Sequence, residues 1–89
     1  MRRTGAGFEV MTTTLDVRGL RCPLPVLRAR KAMRDVPPGG TLVVLATDPA
    51  SAIDFPFFCH QTGLELVSTA RDGELLTFEI RKPAAAAAC

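Results

Sequence analysis

The segment Thr41 to Thr47 (TLVVLAT) is a nearly continuous apolar run rich in β-branched residues, the pattern of a strand in the interior of a sheet. Its flanks confine it. Pro37, Pro38, Gly39 and Gly40 stop whatever precedes it, and Asp48-Pro49 pairs an N-cap residue with a first-turn proline, so a helix should open directly after it. A chain built around such a strand needs partners on either side in the sheet and helices to cover its apolar side chains.

The rest of the sequence supplies them. Thr13, Leu15 and Val17 alternate with Thr14 and Asp16, a short strand ended by Arg18 and Gly19. Pro23 to Val36 reads as a helix, with Val26, Ala29, Met33 and Val36 spaced by three or four residues and Leu27 and Ala32 flanking that stripe. Arg30 falls inside the apolar arc, so it must snorkel past the core edge or reach toward something bound there. The second helix should run from Asp48 to Thr62 and stop at Gly63, with a break at Pro56 separating a short turn from a piece carrying Phe57, Phe58, Cys59 and His60. Glu65 to Ala70 and Leu75 to Arg81 are strands around Arg71-Asp72-Gly73-Glu74, a tight hairpin signal. The order is βαβαββ, an α/β fold in which one sheet carries two helices on the same face. At 89 residues there is room for a single small domain, placed at 11–82 between an N-terminal arm (1–10) and an Ala-rich tail (83–89).

The net charge of +2 conceals a polarised chain. Arg18, Arg21, Arg28, Arg30, Lys31 and Arg34 lie in one stretch without an acid, whereas Asp35 to Glu79 holds seven acids against Arg71 alone. A one-signed stretch of this kind steers an oppositely charged partner or stabilises a local anion. The three cysteines, Cys22, Cys59 and Cys89, show no CxxC spacing and are poor material for a disulfide framework or a zinc site, which points to reduced thiols. No signal-peptide core and no membrane-spanning run stands out, so a cytoplasmic location is expected.

The chemistry concentrates at Arg21-Cys22-Pro23-Leu24-Pro25. Cys22 falls at or next to the N-cap of the first helix. Pro23 and Pro25 lack N–H groups, which leaves Leu24 N–H as the nearest free donor. A helix N-terminus with Arg21 and Arg18 beside it is expected to lower the thiol pKa and favour a thiolate, the form that attacks an activated sulfur. A buried capping cysteine is the alternative.

These residues resemble a family. The LRCPLP stretch from Leu20 to Pro25 is similar to the Cys-Pro-x-Pro signature of the TusA-like (SirA-like) sulfur-carrier proteins. The similarity continues through Leu15-Asp16, Gly19, Pro38-Gly39, Asp48-Pro49-Ala50, Asp54, Pro56, Phe58-Cys59, Glu65-Leu66-Val67, Asp72-Gly73 and Ile80-Arg81-Lys82. The resemblance implies a two-layer α/β sandwich with a four-stranded mixed sheet. It also implies a carrier, acting as a protein co-substrate, that takes sulfur as a persulfide on Cys22 from a cysteine desulfurase and hands it to a downstream sulfur-acceptor protein. Destinations in the family include 2-thiouridine in tRNA, molybdenum-cofactor maturation and sulfur oxidation. Leu24 stands where several members carry Glu, which removes an acid next to the sulfur. No cofactor or metal is implied, and a monomer is expected.

Around this centre, Arg18, Arg28, Arg30, Lys31 and Arg34 fit a docking surface for an acidic protein; with no aromatic platform beside them, direct nucleic-acid binding is not expected. Cys59 sits among apolar neighbours and reads as buried, the alternative being a resolving thiol for Cys22. The competing reading of the whole chain is a non-enzymatic regulatory or RNA-contacting module, with the basic helix as its working surface and Cys22 as a cap.

Overall fold

A computed structural model of the chain describes residues 11–84. The expected arm (1–10) and all but the first two residues of the expected tail (83–89) lie outside the described residues. The elements are β1 (Thr12–Asp16), α1 (Leu24–Met33), β2 (Thr41–Ala46), α2 (Ser51–Thr62), β3 (Glu65–Asp72) and β4 (Leu75–Arg81), which is the βαβαββ order. The four strands form one mixed sheet in the order β1-β2-β4-β3. β1 runs parallel to β2, and β4 is antiparallel to both β2 and β3.

Alternation along the strands decides which face the helices cover. Leu42, Val44 and Ala46 of β2 face the same side as their cross-strand partners Ile80, Phe78 and Leu76 of β4, and all six are buried. Ala29 and Met33 of α1 and Phe55, Phe58 and Cys59 of α2 close over them. Phe55, fully buried, stacks on Phe78 at 4.7 Å between ring centroids and meets Phe58 edge-on at 6.3 Å. Val43, Leu45, Thr77 and Glu79 point to the opposite face and remain half-buried. The result is a two-layer α/β sandwich with one uncovered sheet face.

Two local expectations change. α1 is shorter than the apolar stripe that announced it, ending at Met33, yet Val36 in the following turn is still buried. α2 is not broken at Pro56: it is continuous from Ser51 to Thr62 and ends at Gly63 in the left-handed conformation, φ 76°. Proline removes the N–H that would bond the Ala52 carbonyl. Ala52 and Pro56 are both exposed, so water can serve that carbonyl, while buried Phe55, Phe58 and Cys59 hold the helix to the sheet.

The hairpin between β3 and β4 turns through Gly73-Glu74, with Gly73 at φ 62° in the first central position. A bulge between Leu66 and Ser68 accompanies the exposed outer strand β3. The Pro37 to Gly40 corner is tied to the end of β4: Gly39 N–H donates to Lys82 O at 2.6 Å, and Lys82 Nζ donates to Val36 O at 2.7 Å.

Candidate functional site

β1 and β2 are parallel neighbours, and each is followed by a helix, so α1 and α2 both start at the same end of the sheet. The loop carrying Cys22 therefore meets the loop that opens α2. Gly19 N–H donates to Thr47 Oγ1 at 2.9 Å, and Cys22 N–H donates to Asp48 Oδ2 at 2.6 Å. The other oxygen of Asp48, Oδ1, accepts the Ala50 N–H at 3.2 Å, and the Asp48 carbonyl accepts the Ser51 N–H at 2.9 Å. Asp48 is therefore not the N-cap of α2 expected from the sequence, since the helix starts at Ser51 with Ala50 as N-cap and no side-chain capping bond; its carboxylate instead fixes the turn that leads into α2 and pins the backbone of Cys22.

α1 takes Pro23 as its N-cap, makes no side-chain capping bond and has no acid in its first turn. Cys22 immediately precedes that N-cap. Leu24 N–H, expected to be the free donor nearest the sulfur, is committed to Arg21 O at 2.8 Å. Pro25 is buried and anchors this first turn, whereas Cys22, Pro23 and Leu24 are exposed.

Cys22 stands at the mouth of a recess of about 220 Å³ between α1 and α2, lined also by Pro23, Val26, Arg30, Asp54, Phe57, Phe58 and Gln61. Leu24, Phe57 and Ile53 are 43%, 59% and 74% exposed, large apolar side chains that the fold leaves uncovered. On the other side of the Cys22 loop, Arg21 lines a wider cleft of about 750 Å³ with Asp48, Arg71 and Glu74.

The electrostatics reverse the expectation for the thiol. The pKa of Cys22 is raised, first by the neighbouring Asp54 carboxylate, then by desolvation, then by the negative charges of Asp54 and Asp48. Of the two cations expected to lower it, Arg21 lines the cleft on the other side of the loop and Arg18 is paired with an acid. Arg18 forms a two-pronged exposed ion pair with Asp16, Nε to Oδ1 at 2.9 Å and Nη2 to Oδ2 at 2.8 Å. That pair holds the Asp16 carboxyl down at about 2 and pushes the Arg18 guanidinium up. Arg30 neither snorkels freely nor pairs with an acid: its guanidinium lies over the Phe58 ring, 5.2 Å from the centroid. Arg28, Lys31 and Arg34 are exposed along α1, and Arg34 borders a second shallow recess with Arg30, Phe58 and Lys82.

Cys59 is 3% exposed, and desolvation pushes its thiol up to about 11. Cys22 and Cys59 are both free thiols, and of the two Cys59 is the poorer nucleophile. Among the described residues no cluster of three or more His, Cys, Asp or Glu could hold a metal ion, and no helix is long and apolar enough to cross a membrane.

A model of the sulfurtransferase TusA family matches residues 13–82. The chain belongs to this family. A crystal structure of a SirA-like protein from Desulfitobacterium hafniense is 28% identical in sequence and superimposes with a TM-score of 0.67, covering 79% of this chain and 95% of that one. The family and the fold carry a sulfur-carrier role in general terms. The matched segment of this TusA-family chain runs from β1 to just beyond β4, so it contains both the Cys22 loop and the two acids that flank it.

Asp54, Phe57 and Gln61 were not among the site residues expected from the sequence. Asp54 is 32 positions from Cys22 in the chain, and no local motif joins them. The available signal was topological: consecutive βα units with parallel strands set their helix N-termini side by side.

Proposed function

We propose that the chain is a sulfur carrier in which Cys22 accepts sulfur as a persulfide from a cysteine desulfurase and relays it to a downstream sulfurtransferase, in tRNA 2-thiouridine synthesis or related sulfur trafficking in the cytoplasm. The observation that carries this reading is the position of the thiol. It is exposed at a rigid proline-flanked helix start and bordered by uncovered apolar side chains, so a second macromolecule can reach it.

The chemistry is a thiol exchange. Cys22 sulfur attacks the outer sulfur of the donor's persulfide, the donor S–S bond breaks, and the donor cysteine leaves as a thiolate that takes up a proton. Cys22 keeps the transferred sulfur. Leu24, Ile53 and Phe57 form the apolar part of the docking surface, and Arg28, Lys31 and Arg34 on α1 form its basic part. Arg18, paired to Asp16, is a weaker contributor than its charge suggests.

Incubation with a cysteine desulfurase and L-cysteine carrying radiolabelled sulfur tests the reading. The wild-type chain acquires label and Cys22→Ser does not; equal labelling of both would reject it.

A further inference from the structure

The loop that presents Cys22 is held from outside by two consecutive side chains. Thr47 and Asp48 follow β2 directly, and β2 is an inner strand of the sheet whose Leu42, Val44 and Ala46 are buried. Three bonds step across from this strand end to the Cys22 loop: Val17 N–H to Leu45 O at 2.9 Å, Gly19 N–H to Thr47 Oγ1 at 2.9 Å and Cys22 N–H to Asp48 Oδ2 at 2.6 Å. The first is a backbone bond open to any sequence, whereas the other two exist only because Thr and Asp stand at these positions. Within the loop, Leu20 N–H donates to Val17 O and Leu24 N–H to Arg21 O, local turns that do not reach the body of the fold. The next anchor downstream is the buried ring of Pro25. Cys22 is exposed between these anchors, so Thr47 and Asp48 on one side and Pro25 on the other set where its backbone sits at the mouth of the α1/α2 recess. The negative charge of Asp48 disfavours ionisation of the thiol, so any help it gives to transfer comes through its bond and not through its charge.

We propose that Thr47 and Asp48 are positioning residues for sulfur transfer: acting on the backbone of the Cys22 loop, they aim the nucleophile at the persulfide of a docked donor. This deepens the carrier reading and rests on it. In the transfer the Cys22 S–H bond breaks and its proton leaves to solvent. The sulfur bonds to the outer sulfur of the donor persulfide, and the donor S–S bond breaks with its electron pair going to the donor cysteine, which takes up a proton. One thiol and one persulfide become one persulfide and one thiol, with no oxidant or reductant consumed. The attacking sulfur must approach in line with the bond that breaks, to about 3 to 3.5 Å, and a misplacement of about 1 Å can cost about a hundredfold. A docked macromolecule cannot readjust to a displaced loop, whereas a small reagent reaches an exposed thiol from any open direction.

The test is single-turnover transfer from a limiting, persulfide-loaded cysteine desulfurase at varied carrier concentration. Every carrier has Cys89→Ser so that the tail thiol does not compete, and the temperature is one at which circular dichroism shows each variant folded. Asp48→Ala and Thr47→Val should each lower the saturating rate about tenfold or more, with the half-saturating concentration within about twofold of wild type. Asp48→Asn and Thr47→Ser retain an acceptor oxygen and should recover most of the rate. Asp48→Ala and Asp48→Asn remove the same charge, so the difference between them isolates the bond. Iodoacetamide should alkylate Cys22 in Thr47→Val at the wild-type rate. Unchanged saturating rates in Asp48→Ala and Thr47→Val, losses that Asn and Ser do not recover, a change confined to the half-saturating concentration, or alkylation that falls in parallel with transfer would each overturn the assignment. Failure of the wild-type chain to take up sulfur at all would instead refute the carrier reading, so the two failures are distinguishable.

Discussion

Asp48 is the residue whose removal should most clearly separate scaffold from chemistry at this site. Its carboxylate makes two bonds to backbone amides, one to Cys22 at 2.6 Å and one to Ala50 at 3.2 Å. The longer bond to the Ala50 amide, within the turn that leads into α2, contributes about 1 kcal/mol. A carboxylate-to-amide bond at an exposed position contributes about 1 to 2 kcal/mol, toward the lower end of charged hydrogen bonds. Asp48→Ala should therefore lose roughly 2 to 3 kcal/mol of a total stability of roughly 4 to 10 kcal/mol for a domain of this size. That corresponds to a melting temperature lower by roughly 10 to 20 °C. Asp48→Asn retains an oxygen acceptor for one of the two amides and should lose about half as much. Urea unfolding followed by circular dichroism measures the stability, and hydrogen exchange at the Cys22 amide reports the local bond. A change in Asp48→Ala within about 0.5 kcal/mol, the scatter of ordinary surface substitutions, would refute the idea that this carboxylate ties the two loops together.

Three further outcomes are expected. Pro56→Ala restores an N–H opposite the Ala52 carbonyl in a continuous helix and should raise stability by roughly 1 kcal/mol, less than the full helix-interior proline penalty because the unfolded chain gains freedom too; urea midpoints measure it. The buried Cys59 thiol, raised to about 11 from an ordinary 9.0, keeps its proton in the folded chain over a range where the unfolded chain loses it. Its contribution is full below pH 9 and is lost as pH rises toward 11, so stability should fall more steeply over that window in wild type than in Cys59→Ala, by thermal unfolding against pH. Arg28→Glu with Lys31→Glu should slow sulfur uptake from a desulfurase and flatten its salt dependence, while iodoacetamide alkylation of Cys22 stays unchanged.

The order of elements was readable because the hydrophobic period changes from two to between three and four and back, with Pro37 to Gly40 and Asp72-Gly73 marking the changes. Sheet order was not readable: β4 inserts between β2 and β3, and nothing local to Leu75–Arg81 selects β2 as its second partner. Pro56 misled because its local cost is real, and burial of Phe55, Phe58 and Cys59 outweighs it. At the site, Cys22 and its prolines were visible as a motif, but the sign of its surroundings was not. Arg18 and Arg21 are neighbours in sequence, yet Arg18 turns back to Asp16 and Arg21 faces another cleft. The groups that act on the sulfur, Asp48 and Asp54, arrive from the next βα unit. Contacts of that range depend on topology, which residue spacing near Cys22 does not encode.

Intact-protein and peptide mass spectrometry after incubation with a cysteine desulfurase and L-cysteine tests most directly whether Cys22 carries sulfur. A gain of one sulfur atom, located on the peptide containing Cys22, removed by a reducing thiol and missing in Cys22→Ser, is the predicted result. An unmodified Cys22 peptide, or the same gain located on Cys59 or Cys89, would contradict the account.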